Sequence, residues 1–189
     1  MKSDQKPHVC PWWIGWLLAS PLRRLGQDPA RILSPHVRDG MTVLEPGPGM
    51  GFFTLELARR VGPGGRVVAV DLQPQMLAGL RRRAARAGLD GRIVTRLAST
   101  ESLGVDDLSG AVDFVLAFAM VHELPSAERF FAELRATLAP AGKVLVAEPR
   151  GHVTSSAFEA TLSAARRAGL AAEPGPIITR SLTAVLRAG

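Results

Sequence analysis

The chain has 189 residues, the size of one domain, and its 47% hydrophobic content excludes disorder over most of its length and any collagen-like architecture. Lys plus Arg outnumber Asp plus Glu by 23 to 17, a net charge of +6. Only Lys2, Lys6 and Lys143 are lysine, so the high isoelectric point reflects guanidinium chemistry and does not demand nucleic acid.

One cysteine, Cys10, excludes an internal disulfide and any site built from several thiolates, and it suits a reducing, cytoplasmic interior. Lys2 and Lys6 precede an apolar stretch, Val9 to Leu22, which is too short for a membrane span of about 20 residues. Asp4, Pro11 and three tryptophans make it a poor signal peptide. It reads as a helix starting near Pro11, with Trp12, Trp16 and Leu17 on one side, within an amino-terminal cap of residues 1–40.

From residue 41 to 189 the pattern is regular. Met41 to Leu44 is a short apolar strand that stops at the turn Glu45 to Gly51, EPGPGMG. Phe52 to Val61 has helical spacing, and GPGG at Gly62 to Gly65 breaks it. Arg66 to Val70 is a buried strand ending at Asp71, Gln75 to Ala87 an arginine-rich helix, and Arg92 to Leu97 a third strand. Val112 to Ala119 is a central strand and Ser126 to Leu138 an amphipathic helix. Pro140 to Lys143 then turns into the strand Val144 to Ala147, and Ala157 to Ala168 forms a further helix. Apolar strands alternating with helices predict a parallel sheet covered on both faces, doubly wound by right-handed crossovers. Ligands of such α/β folds lie beyond the carboxyl ends of the strands, where strand order reverses.

The turn after the first strand and the acid after the second carry the chemistry. Gly47 and Gly49 let the chain turn tightly and leave room for a ligand against the main chain. Asp71 stands 20 residues after Gly51, where a carboxylate can accept from both hydroxyls of a ribose. Together they point to an adenosine-containing ligand. A dinucleotide turn needs a third glycine at position 52, which is Phe52, and no Gly-Lys-Ser/Thr follows for a P-loop. Glu45 would repel a pyrophosphate but suits a ligand carrying an ammonium group.

VLEPGPGMGFFTLELARRVGPGGRVVAVDLQPQML resembles motif I through the second strand of class I S-adenosylmethionine-dependent methyltransferases. VDFVLAFAMVHEL and LAPAGKVLVAEP are similar to the fourth and fifth strands of that family, and AAEPGPIITRSLTAVLRA to its closing antiparallel strand pair. The resemblance covers residues 41–188 and is nearest to small-molecule enzymes such as the ubiquinone/menaquinone C-methyltransferases. It implies a Rossmann-like, seven-stranded, mostly parallel sheet with an antiparallel last strand. It also implies S-adenosyl-L-methionine as cofactor and a small, apolar or aromatic methyl acceptor.

Carried over to this chain, the resemblance places Gly47 and Gly49 beneath the methionine part of the cofactor and Glu45 on its ammonium side. Asp71 would hold the ribose diol, Leu72 and Met76 would flank the adenine, and Ser99 and Thr100 would meet its edge. Relatives often carry Asp or Asn at position 99. The Ala117 carbonyl would take the methionine ammonium. His122 is the best-placed general base, ahead of Glu123 and Glu148. Trp12, Trp13 and Trp16 either wall the acceptor pocket or dock the cap, and a second copy of the chain closing the pocket is a further expectation. Arg81, Arg82, Arg83 and Arg86 read as a solvated helix face.

Other functions are weaker readings. A nicotinamide oxidoreductase conflicts with the glycine spacing and with the antiparallel close. A base-amine methyltransferase lacks its Pro-Pro turn, since Ala117-Phe118-Ala119-Met120 stands there. Other RNA or protein methyltransferases and a catalytically silent binding scaffold stay open as alternatives. Methylation of arsenic through several thiolates is disfavoured by the single cysteine.

Overall fold

A computed structural model describes residues 26–189. Cys10, the expected helix near Trp12 to Leu17 and the three tryptophans lie outside the described residues. The order of elements is α1 (Pro29–Leu33), β1 (Thr42–Pro46), α2 (Thr54–Arg60), β2 (Arg66–Asp71), α3 (Pro74–Arg86), β3 (Ile93–Leu97), β4 (Val112–Phe118), α4 (Ala127–Thr137), β5 (Leu138–Pro149), α5 (Ser155–Arg167), β6 (Leu170–Pro174) and β7 (Ser181–Ala188).

The seven strands form one sheet in the order β3-β2-β1-β4-β5-β7-β6. β1 pairs in parallel with both β2 and β4, and β4 with β5. Only β7 is reversed, antiparallel to both β5 and β6. The expected doubly wound sheet with an antiparallel last strand is therefore present. Strand order reverses between β1 and β4, and their ladder pairs only Val43 with Phe114 and Leu44 with Val115. Beyond those pairs the two strands diverge, which opens the crevice that holds ligands in this class of fold.

Side chains alternate between the faces of each strand, so the near-continuous apolar runs feed two cores. Leu44, Val68, Val115 and Val146 meet Phe130, Phe131 and Leu134 of α4 and Phe158 and Leu162 of α5 on one face. Val43, Val67, Phe114 and Leu145 meet Leu33 of α1, Phe53 just before α2 and Leu57 within it on the other. α4 and α5 start where a capping side chain supplies an acceptor: Ser126 takes Arg129 N at 3.2 Å and Thr154 takes Ala157 N at 3.2 Å. Among the described residues no helix is long and apolar enough to cross a membrane.

Two elements differ from expectation. α1 lies inside the expected cap of residues 1–40 but is a helix separate from the one expected near Pro11, and Asp28 capping Ala30 N at 3.0 Å ahead of Pro29 is a readable helix start. The turn expected at Pro140 to Lys143 lies inside β5, which begins at Leu138 opposite Val112 and resumes pairing at Lys143 opposite Phe114. The partner strand advances two residues while β5 advances five, so the Pro-Ala-Gly segment is a bulge and the ladder continues on both sides of it. Gly142 belongs there because a Cβ would lie 2.6 Å from the Val112 carbonyl oxygen.

Candidate functional site

A cleft of about 210 Å³ opens at the carboxyl ends of β1, β2 and β4. Its floor is the turn after β1. Gly47, Gly49 and Gly51 have φ of 68°, 55° and 85°, the left-handed region that glycine enters without penalty. Gly47 N donates to Val70 O at 2.9 Å, tying the turn across β2. Beneath it Met120 is in close contact, since a Cβ on Gly47 would lie 3.1 Å from Met120 Cβ.

Two acids face this cleft from neighbouring strand ends. Glu45 is 3% exposed, and among the described residues its Oε2 has no hydrogen-bond partner, as is also true of the nearby Thr54 hydroxyl. Burial pushes the Glu45 carboxyl up to about 8, and the nearby Asp71 charge reinforces it. Asp71 closes β2 and accepts from Gln73 N at 2.9 Å. Burial raises its carboxyl to about 6, against the backbone N–H groups of Gln73 and Gly49, with Glu123 adding a like charge and Leu72 N–H a further opposing bond. Glu123 also lines the cleft. A cleft bounded by three carboxylates in a chain of net positive charge is suited to a cationic ligand.

Glu45, Gly47, Gly49, Asp71, Leu72, Met76, Ser99 and Thr100 all line this one cleft. The Ser99 hydroxyl accepts from Glu101 N at 3.2 Å and Ser102 N at 3.0 Å, so it also shapes the loop after β3. Ala117 and His122 are not in the lining. Ala117 is fully buried in β4 opposite Val146, while Leu116, Phe118 and Ala119 around it reach the cleft. His122 sits on the rim, its Nδ1 bonded to Glu148, with the cleft residues Met120 and Glu123 on either side of it in sequence.

The apolar turn Phe118 to Val121 is readable from the sequence, but the aromatic lining it joins is not. Phe52, Phe53 and Phe118 touch in series, the first pair edge to face with centroids 5.0 Å apart and the second tilted at 4.5 Å. Leu103, Met120 and Leu124 extend the same surface. In the sequence Phe52 breaks the dinucleotide pattern and opens a helical run, with nothing to mark it as cleft lining. Only the sheet order brings Phe118 beside Phe53.

This geometry fits an S-adenosyl nucleoside. The orphaned Glu45 oxygen could answer an ammonium and Asp71 a diol, and the glycine turn leaves the space a Cβ would fill.

The comparisons agree. The methyltransferase domain family matches residues 43–142. An arsenite methyltransferase of Halobacterium salinarum is 33% identical over 58% of this chain and 27% of its own length. The ubiquinone/menaquinone biosynthesis C-methyltransferase UbiE of Pseudomonas paraeruginosa is 33% identical over 66% of this chain and 49% of its own. The chain thus spans from about a quarter to half of these curated relatives. A SAM dependent methyltransferase from Aquifex aeolicus shares the fold with a TM-score of 0.83 at 23% identity, covering 94% of this chain and 98% of that one. With the family matched over more than half its residues, the chain belongs to the methyltransferase domain family, in the class I S-adenosylmethionine-dependent group.

Proposed function

We propose that the chain transfers a methyl group from S-adenosyl-L-methionine to a small, apolar or aromatic acceptor. The observation that carries the reading is the convergence of Glu45 and Asp71, at adjacent strand ends, on one cleft floored by the glycine turn. When bound, the sulfonium supplies an already activated methyl group, so the protein has mainly to align and desolvate the reactants. In this reading Glu45 ionises against the ammonium, Asp71 accepts from the ribose hydroxyls, and Leu72 and Met76 sandwich the base with Ser99 and Thr100 at its edge. The Ala117 carbonyl, at the point where β1 and β4 part, is a second acceptor for the ammonium.

The acceptor class is supported by the aromatic series Phe52, Phe53 and Phe118, which offers apolar and ring surface beside the acids. His122 at the rim would take a proton from the acceptor. Relatives named for quinone biosynthesis and for arsenite act on small molecules. A thiolate-held acceptor would find only Cys10 in this chain. Residues 1–40 as a cap, and a second copy closing the acceptor side, belong to the same proposal; light scattering tests the latter.

The test is a calorimetric titration with S-adenosylhomocysteine. Saturable binding that weakens by about tenfold or more in Asp71→Ala, the scale of a lost hydrogen bond to a charged group, is the expected result. No heat of binding to the native chain overturns the proposal.

A further inference from the structure

Glu148 is one residue past the last β4–β5 pair, Phe118 with Ala147, and is 1% exposed. Both of its oxygens are engaged. Oε1 accepts from Met120 N at 3.2 Å and Val121 N at 2.9 Å, and Oε2 meets Nδ1 of His122. The turn these bonds hold starts at Ala119, whose φ of 55° is in the left-handed region and whose N–H donates to Ala147 O at 2.7 Å. The opposite edge of the imidazole looks outward. Its Nε2 is 4.0 Å from Oε1 of the cleft-lining Glu123, the His152 ring lies 6.0 Å away between centroids, and the side chain is 26% exposed.

A neutral imidazole carries one proton, and a carboxylate can only accept. An ionised oxygen at Nδ1 therefore demands that the proton sit there. We propose that Glu148 is a positioning residue that fixes neutral His122 as the Nδ1–H form, presenting the unprotonated Nε2 as a proton acceptor at the rim of the cleft. The proton placement follows from these hydrogen bonds alone, while its use in deprotonating a methyl acceptor rests on the function proposed above. Glu148 acts through His122 and through the turn, and does not itself line the cleft.

Glu148→Gln exchanges one acceptor oxygen for an NH₂ donor. Met120 N and Val121 N claim the remaining oxygen, so the NH₂ faces Nδ1. Nδ1 must then accept, and the proton moves to Nε2. The same carboxylate-to-amide logic puts the catalytic histidine of serine proteases into the wrong tautomer.

The experiment is a long-range ¹H–¹⁵N correlation spectrum of histidine-labelled protein at a pH where the ring is neutral, with and without S-adenosylhomocysteine. The native chain, Glu148→Gln and Glu148→Asp are compared. We expect Nδ1–H in the native chain, the reversed pattern in Glu148→Gln, and Nδ1–H restored by the shorter carboxylate of Glu148→Asp. An Nε2–H form in the native chain overturns the proposal whether or not either variant folds, and so does a folded Glu148→Gln that keeps Nδ1–H. Native spectra showing Nδ1–H without any binding of S-adenosylhomocysteine support the positioning role and count against methyl transfer instead.

Discussion

Glu45 and Glu148 end two strands of the same sheet and are equally removed from water, 3% and 1% exposed, yet they are built in opposite ways. Glu148 is surrounded by donors, two backbone N–H groups and an imidazole. Glu45 has an oxygen with no partner among the described residues, and its carboxyl is held up at about 8. A buried acid that the fold satisfies stabilises the fold. One that the fold leaves unsatisfied destabilises it until a ligand supplies the missing charge. The β4–β5 end of the sheet is thus a finished structural unit, and the β1–β2 end is left with an acid that the fold does not satisfy, as the proposed cofactor site requires.

The sharpest way to break this contrast is to remove each acid in turn. Glu45→Gln should weaken S-adenosylhomocysteine binding by about a hundredfold, the upper range for a hydrogen bond between charged partners, and leave the melting temperature unchanged or higher. Glu148→Ala strands two backbone donors and an imidazole at a cost of about 3 kcal/mol, which lowers the melting temperature by roughly 6–12 °C for a chain of this size. Calorimetry and thermal denaturation on both variants check the crossover. If Glu45→Gln melted lower and bound normally, the two acids would not differ in kind.

The pH dependence sharpens the same point. Both cleft carboxyls are raised on folding, Glu45 from 4.5 to about 8 and Asp71 from 3.8 to about 6. The folded state therefore holds protons the unfolded state has released, and the stability this contributes is complete below about pH 4 and is lost as pH rises through 6 and then 8. The free protein should melt roughly 6–12 °C lower at pH 7.5 than at pH 5.5, and Glu45→Gln should remove most of that slope. S-adenosylhomocysteine affinity should rise by about tenfold from pH 6 to 8 with protons released, because the ligand favours ionised Glu45. Titrations in buffers of different ionisation enthalpy measure the release. A flat stability profile and pH-independent affinity would sink the idea of a neutral, waiting Glu45.

The smallest effect separates the glycines of the turn. Gly51→Ala would place a Cβ 2.4 Å from Leu80 Cδ1 at a φ of 85°, whereas Gly49→Ala, at 55°, meets nothing within 4 Å. Both carry the left-handed strain of about 1 kcal/mol, and only the first adds a clash with α3, of about 1 kcal/mol. Gly51→Ala should melt roughly 3 °C lower than Gly49→Ala, while Gly49→Ala should show the larger loss of S-adenosylhomocysteine affinity for its stability, since its new methyl stands in the cleft.

Much of this was legible in the chain before folding. β1, β2 and β4 follow from apolar runs, the turn from its glycines, and Asp71 from its distance along the sequence, because each is local or depends on one strand lying beside the next. The rest depended on residues far apart in sequence. Pro140-Ala-Gly142 reads locally as a turn, and only pairing with β4 on both sides makes it a bulge. Glu148 and His122 each carry the chemistry of a base, but nothing in their spacing shows that one serves the other. The aromatic series through Phe53 and Phe118 is likewise assembled by sheet order.

By itself, the sequence determined the elements, their alternation and the residue types of a nucleoside site, because backbone period and turn chemistry are written in neighbouring residues. The tertiary structure alone decided which acid is satisfied and which is left open. That depends on where strand order reverses: beyond Leu44 and Val115 β1 and β4 part and expose Glu45 to a cleft, while β5 stays against β4 and delivers Glu148 to the backbone of the next turn.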